Sequence, residues 1–225
     1  MIKRNFFIKW YESNGRSFPW REERTTPYQF LVTEVLLQQT KAADVAAVWY
    51  KFFAKYPNII SLSKAKKSSL IALIKHLGFG NKRANALKII SSWLVEKHNG
   101  AIPENLELLL AIPYIGSYAA HAILCFAFDW KIEIVDANVI RLFSRYFGLE
   151  LNRDARRAPV SWEIARSLMP RERKKAKEHN YGLLDFTAQI CKPGVPLCEI
   201  CPLKMKCCFG RLKVTVKNTF SDLSR

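Results

Sequence analysis

Along this chain of 225 residues the apolar positions recur at intervals of three and four, the spacing of one face of an α-helix. The clearest helical segment, residues 25–57, starts with a threonine cap signal and Pro27 and breaks at a second proline. Segments 63–80 and 81–100 each end at a glycine, and 136–148 and 158–170 supply two more helices. No run of strand-like alternation interrupts them. The pattern predicts an all-α fold.

Residues 103–128 are predicted to form two apolar helices joined by a short turn, within the sequence IPYIGSYAAHAI at 112–123. A tight turn that contains glycine can aim backbone N–H groups and the start of the second helix at one phosphate group. Such a turn binds DNA without reading its sequence. An ordinary hairpin of two helices is the alternative interpretation.

The charge of the chain indicates a polyanionic partner. Lysine and arginine number 36 against 19 acidic residues, for a formal charge of +17. Nucleic acid is favoured over a membrane surface, because no basic amphipathic anchor stands out. The first residues lack the apolar core of a signal peptide, and no uncharged apolar run reaches the ~18 residues of a membrane span. We therefore expect a soluble intracellular protein, located in the cytoplasm or nucleoid.

Five of the six cysteines fall within residues 191–208. In a reducing compartment, clustered cysteines more often serve metal or redox chemistry than disulfides. Spacings of six, two and five residues separate Cys191, Cys198, Cys201 and Cys207. This spacing differs from the paired knuckles of structural zinc sites and favours a [4Fe-4S] cluster, with zinc as the alternative. We expect Cys208 to be a bystander and Cys125 to be a core residue.

Two isolated carboxylates are candidates for catalysis. Glu34 is the only charged residue between positions 28 and 40, and partial desolvation there would favour its protonated form and a role as general acid. A glutamate at a helix edge that points to water is the alternative. Asp136 precedes a helical segment, so it is predicted to be an N-cap whose hydrogen bonds and helix dipole hold it ionised. Opposite protonation states would divide acid and anion roles between the two groups.

These motifs occur in a familiar order. PWR at 19–21, TEVLLQQT at 33–40, IPYIGSYAAHAI, VDANVIR at 135–141 and the cysteine spacing resemble the helix-hairpin-helix DNA glycosylases of the endonuclease III superfamily, over about residues 6–210. The resemblance implies a six-helix domain at 25–130, a discontinuous cluster-bearing domain at 1–24 and 131–210, and a tail at 211–225. The protein would be a monomer. Double-stranded DNA would lie across the cleft between the domains, with one nucleotide flipped out of the duplex.

The resemblance also implies catalytic roles. Glu34 and Tyr118 would face Asp136 across that cleft. Members that cut the strand carry lysine where this chain has Tyr118, and a tyrosine cannot form an imine, so we expect base excision by water and no efficient lyase activity. Asp136 would stabilise the developing positive charge on the sugar and orient or deprotonate the water. Glu34 would protonate the departing base or position the water.

Further residues are implied to contact DNA. One of the two adjacent glutamines would enter the gap in the base stack or contact the opposite base. The chain departs from the family pattern at Tyr114, where glycine is usual, at Ala119, and at His121, which we expect to be a packed helix residue. The implied DNA-binding residues are Gln38, Gln39, Lys82, Arg83, Tyr114, Gly116, Ser117 and Asn138.

The most specific expectation concerns which base is excised. Adenine glycosylases of the superfamily typically read VDGNV and carry an extra carboxy-terminal domain, whereas this chain reads VDANV and continues for 15 residues past Gly210. VDANVIR and LGFGNKRANAL are more similar to archaeal-type thymine glycosylases, although LLQQT is as typical of the adenine enzymes. We expect removal of thymine, and of uracil, opposite guanine. The alternatives are adenine removal opposite 8-oxoguanine or guanine, and a non-catalytic iron-sulfur DNA-binding protein, against which the presence of both carboxylates argues.

Overall fold

The computed structural model describes residues 2–151, 155 and 157–211, and these form α-helices and short 3-10 turns without a strand. The all-α prediction is therefore confirmed for the described residues. None of their helices is long and apolar enough to span a membrane. The helices are α1 (Phe6–Asn14), α2 (Pro27–Leu37), α3 (Ala42–Lys55), α4 (Ile59–Ser63), α5 (Lys67–Ile74), α6 (Gly80–His98), α7 (Leu106–Ala111), α8 (Ser117–Phe128), α9 (Ala137–Phe147), α10 (Pro159–Leu168) and α11 (Ala176–Gln189).

The chain divides into two compact units. The central unit is Ser17–Trp130, and the terminal unit combines Met1–Arg16 with Lys131–Arg225. Sequence analysis placed the first boundary after residue 24. The structure places it after residue 16, because the 3-10 turn Pro19–Arg21 packs against α2 and α3. The expected tail at 211–225 lies outside the described residues except for Arg211.

In the central unit α2 is buried along nearly its whole length. Its start is fixed by a capping box, in which the Thr26 side chain accepts from the Gln29 amide while the Gln29 side chain accepts from the Thr26 amide. At its first half, the ring of Phe30 stacks on Phe126 near the end of α8, with centroids 6.4 Å apart. Its last residues approach the turn that precedes α8. Helices α2 and α8 are therefore antiparallel.

In the terminal unit α11 is the central helix, packed against α1 and α9. Phe7, Phe143 and Phe186 are completely buried in this core. The approach of α1 to α11 requires Gly182, because a Cβ atom there would lie 1.9 Å from the carbonyl oxygen of Phe7. Helix α9 packs against α11 in this core, and Asp136 lies at its amino terminus.

Candidate functional site

Asp136 caps α9, as the sequence predicts. Its Oδ1 accepts hydrogen bonds from the backbone amides of Asn138 at 2.8 Å and Val139 at 2.7 Å, and its Oδ2 accepts one from the Asn138 side chain at 2.6 Å. Sequence analysis expected such bonds to hold the carboxyl ionised. In the structure, burial raises the pKa of Asp136 above its ordinary value, and these hydrogen bonds only partly oppose that rise. A raised pKa makes the carboxylate a stronger base, which suits activation of a water molecule.

Asn138, predicted as a DNA contact, also orients Asp136. Its Nδ2 donates to the carboxylate, and its Oδ1 accepts from Nη1 of Arg141 at 2.8 Å. Arg141 also donates to the carbonyl oxygens of Cys191 at 2.9 Å and Thr187 at 3.1 Å. The side chains of Asn138 and Arg141 thus join the candidate catalytic carboxyl to the first cysteine of the loop, a connection that the sequence did not indicate.

The four cysteines of the predicted ligand set line one pocket in the terminal unit, which encloses about 330 Å³. The walls are otherwise mostly apolar, with Leu142 and Phe186 among them, but they also include Arg145. Burial, and to a lesser extent the neighbouring thiols, raises the pKa of the Cys201 thiol to about 11. Metal binding there would require these thiols to lose their protons.

The arrangement of the sulfurs bears on which group they could hold. Within the described ranges, no three His, Cys, Asp or Glu side chains are arranged to hold a metal ion. A single zinc ion would need the sulfurs within about 2.3 Å of one point, whereas a [4Fe-4S] cluster takes one thiolate for each iron. Four thiols that line one pocket match the ligand number of either group, so the choice between the cluster and zinc stays a prediction.

The remaining cysteines are placed apart from this pocket. Cys208 lies against Gly148 at the end of α9, where a Cβ atom would be 3.3 Å from its sulfur. Cys125 is completely buried in α8, as expected of a core residue. Arg145 steadies the loop by donating to the carbonyl oxygens of Lys192 at 2.7 Å and Gly194 at 3.1 Å.

The predicted hairpin is formed by α7, the turn at 112–116 and α8. Gly116 is the N-cap of α8 and provides no side-chain cap, so the first amides of α8, including that of exposed Ser117, can donate to a phosphate group. Tyr114 has φ +65°, in the left-handed region that glycine adopts readily. The turn thus keeps a glycine-like backbone with tyrosine in place, at a cost of about 1–2 kcal/mol.

Glu34 and Tyr118 belong to the antiparallel pair α2 and α8. Glu34 is buried, with 9% of its surface exposed, so the alternative of a glutamate that points to water is wrong. Tyr118 is the second residue of α8 and is half-buried. Because α2 and α8 are antiparallel, the second half of α2, which carries Glu34, lies beside the first half of α8. The structure thus brings these two predicted residues to one end of the helix pair, within the central unit.

A second pocket, of about 460 Å³, opens beside that end and gathers five other predicted residues: Gln38, Gln39, Lys82, Arg83 and Tyr114. Phe79 also lines it and is 63% exposed, which is unusual for a phenylalanine. The sequence motifs did not indicate Phe79, although a large aromatic residue between two glycines was a signal. An exposed aromatic ring beside amide side chains can stack on or enter between bases.

Arg83, another predicted DNA contact, makes its hydrogen bonds within the protein. Only 5% of its surface is exposed, and its guanidinium donates to acceptors within the central unit. Lys82, the preceding residue, is exposed and remains a candidate phosphate contact.

Comparison with known proteins agrees with this geometry. The family model described as HhH-GPD superfamily base excision DNA repair protein matches residues 32–163. A thymine/uracil-DNA glycosylase of Methanothermobacter thermautotrophicus is 36% identical over 211 residues, which cover 92% of this chain and 94% of that protein. An adenine DNA glycosylase of Mycobacterium tuberculosis is 32% identical over 196 residues, covering 87% of this chain but 64% of that protein. The solved structure of a thermostable thymine-DNA glycosylase has a TM-score of 0.85 at 36% identity, covering 92% of this chain and 94% of that one.

Proposed function

This chain belongs to the HhH-GPD superfamily of base excision DNA repair proteins, and from that premise we propose that it hydrolyses the N-glycosidic bond of thymine, and of uracil, mispaired with guanine. The observation that carries the choice of base is the 36% identity to a thymine/uracil-DNA glycosylase over more than nine-tenths of both chains. The adenine glycosylase, by contrast, is matched over 64% of its length. The enzyme class is DNA N-glycosylase.

Asp136 supplies the negative charge in the reaction. As the base leaves, the sugar becomes positively charged, and a carboxylate fixed by two backbone amides and Asn138 stabilises that charge without having to reorganise. Its raised pKa also favours removal of a proton from the attacking water. The bond from C1′ to the base nitrogen breaks, its electron pair leaves with the base, and a bond from C1′ to the water oxygen forms.

Glu34 and Tyr118 are the residues of the central unit to which we assign roles in the reaction. Glu34, which is buried, protonates the departing base or positions the attacking water. Tyr118 packs its ring against the flipped nucleoside. A phenol has no amine with which to form an imine, so the reaction ends at the abasic site.

Binding to DNA uses two features of the central unit. The uncapped start of α8 contacts a phosphate, and the pocket lined by Gln38, Gln39 and Phe79 receives the bases next to the flipped nucleotide. The overall charge of +17 adds affinity that does not depend on sequence and that falls steeply with salt.

We further propose that Cys191, Cys198, Cys201 and Cys207 hold a [4Fe-4S] cluster. The four thiols line one pocket, and the donor set has one sulfur for each iron. When bound, the cluster would fix the loop between residues 191 and 207. Lys192, Lys204 and Lys206 in this loop would then form a rigid basic surface for phosphates.

The test is a panel of single-turnover assays on duplexes that contain T:G, U:G, A:8-oxoguanine or A:G. Abasic sites are revealed by alkali, and Glu34→Gln serves as the catalytically impaired control. We expect excision from T:G and U:G, with strand breaks only after alkali. Excision from A:8-oxoguanine alone would assign the chain to the adenine class. Strand breaks without alkali would contradict the role given to Tyr118, and binding without excision of any base would support the non-catalytic alternative.

A further inference from the structure

The buried guanidinium of Arg83 is bonded to two separate segments of the pocket wall. Nη2 donates to the carbonyl oxygen of Gln38 at 2.6 Å and to Oγ1 of Thr40 at 2.5 Å, at the end of α2. Nη1 donates to the carbonyl oxygen of Leu77 at 3.1 Å and to that of Gly78, in the turn before α6. One side chain thus joins the two segments that carry the pocket-lining residues Gln38, Gln39 and Phe79.

Each segment continues into a residue with an unfavourable backbone. Gln39 has φ +55° and Phe79 has φ +51°, and neither residue type adopts the left-handed region readily. In both cases the carbonyl oxygen of the preceding residue, Gln38 or Gly78, is an acceptor for Arg83. The backbone amide of Arg83 also donates to the carbonyl oxygen of Phe79 at 3.0 Å. The peptide groups on which these conformations depend are therefore held by one residue.

Both strained residues line the pocket and are exposed. Strained backbone that persists beside a pocket must be over-determined by its surroundings, and it is found preferentially at ligand-binding sites. An uncommon conformation at Gln39 and Phe79 places an amide and an aromatic ring at the rim of the same opening.

We infer that Arg83 is a positioning residue for mismatch recognition, which holds Gln39 and Phe79 in the conformations that engage the bases next to the flipped nucleotide. The inference rests on the proposed DNA glycosylase function and deepens it. Arg83 itself does not touch DNA. It acts by fixing the distance between the two pocket walls before DNA binds, so that the protein does not have to order them on binding.

Arginine is required here for a geometric reason. Its planar guanidinium directs separate N–H groups toward the two segments at once, whereas the ammonium of lysine is a single point with three donors. Thr40 strengthens the link, because its hydroxyl is also placed to donate to the carbonyl oxygen of Leu77 at 3.2 Å. Arg83→Lys should therefore keep the hydrogen bonds to one of the two segments and lose those to the other.

The experiment compares Arg83→Met and Arg83→Lys with Lys88→Met. Lys88 lies one turn further along α6 and bonds the carbonyl oxygen of Ser63, outside the pocket, so its replacement is a matched loss of a contact between helix and loop. Dissociation constants are measured for T:G and T:A duplexes, and 2-aminopurine placed beside the mismatch reports unstacking by its fluorescence. Thermal unfolding checks that each variant is folded.

We expect Arg83→Met to lower the preference for T:G over T:A about tenfold, the usual cost of losing one recognition contact. Its affinity for T:A, which depends on phosphates, should stay within about twofold, and the 2-aminopurine signal should fall. Arg83→Lys should lie between Arg83→Met and the unaltered protein, and Lys88→Met should behave like the unaltered protein. If Arg83→Met does not fold, Thr40→Val, which removes one acceptor, should show a smaller loss in the same direction.

Unchanged preference and fluorescence in Arg83→Met, or an equal loss in Lys88→Met, would overturn the inference. Because these readouts concern binding, they remain separate from excision. An unaltered protein that prefers T:G yet releases no base would contradict the proposed function and leave the role of Arg83 open to the same comparison of variants.

Discussion

Arg83 in the central unit and Arg141 in the terminal unit both direct a guanidinium at main-chain carbonyl oxygens of loops. Burial lowers the pKa of both groups, yet arginine stays charged at neutral pH. Arg83 joins two short segments that already belong to a packed helical unit. Arg141 joins α9 to a loop that carries four thiols around a pocket.

The difference lies in what completes each arrangement. The walls of the central pocket are held by protein groups alone. The cysteine loop is held by Arg141 and Arg145 at its first residues, Cys191 to Gly194, while the proposed cluster would fix the rest. The orientation of Asp136 depends on Asn138 and hence on Arg141, so catalysis should be more sensitive than mismatch recognition to the state of the loop.

The largest effect is expected for a substitution of Asp136, the carboxyl that Arg141 helps to orient through Asn138. Asp136→Asn should lower single-turnover excision from T:G about 10³-fold, because the neutral amide cannot stabilise the cationic sugar. Asparagine is also a good N-cap, but its Nδ2 cannot accept the hydrogen bond that Asp136 Oδ2 accepts from Asn138, so the melting temperature should fall by a few degrees. Mismatch binding should persist. Excision at the unaltered rate would remove Asp136 from the mechanism, and equal losses of binding and excision would make its role structural.

The next largest effect is expected for Cys198→Ser, which changes the cysteine loop and not the central pocket. Loss of one ligand should abolish the iron content and visible absorbance and lower the melting temperature by on the order of 10 °C. Cys208→Ser is the matched control, since Cys208 lies against Gly148 and outside the pocket lining, and should keep the iron. Iron analysis and absorbance spectra check both variants. Stoichiometric zinc without iron in the unaltered protein would overturn the cluster assignment.

Arg141→Met tests the link between loop and carboxylate. It leaves Asn138 without its donor, so Asp136 is less well oriented, and excision should fall about 10- to 100-fold with binding to T:A duplex unchanged. Arg145→Met removes bonds to the same loop without touching Asn138, and its excision rate should be closer to that of the unaltered protein. An equal loss in both variants would show that loop order, and not Asn138, limits the rate.

The last expected effect is on stability alone and is a dependence of stability on acid. His179 of the terminal unit is 1% exposed, and its Nδ1 has no hydrogen-bond partner among the described residues. Burial lowers the pKa of His179 to about 4, against 6.5 for an unperturbed histidine. Its neutral form is favoured by folding, so stability is complete above pH 6.5 and is lost as the pH falls toward 4.

This difference in pKa corresponds to about 3 kcal/mol. Melting temperatures between pH 7 and pH 4 should fall for the unaltered protein and fall less for His179→Phe, which keeps an aromatic ring next to Phe7. Parallel slopes for the two proteins would assign the acid sensitivity to other groups.

Much of the helical architecture and several site residues were predictable. The helices follow from the spacing of apolar residues, and the position of Asp136 before a helical segment predicts its cap. The cysteine spacing indicates a shared site, and the four thiols do line one pocket. The roles of Arg83 and Asn138 were not predictable, because motif position says nothing about which acceptors a side chain reaches. Phe79 was not predicted for a related reason, since the exposure of its side chain is a property of the folded chain.

What the sequence determined by itself is local, because helix periodicity and capping join residues at most four positions apart. The tertiary structure decided which polar groups are exposed and which are bonded within the protein. The bond from Arg83 to Gln38 spans 45 positions and that from Arg141 to Cys191 spans 50. Burial, which raises the pKa of Asp136 against the effect of its own cap, is likewise a sum over contacts that only the folded chain creates.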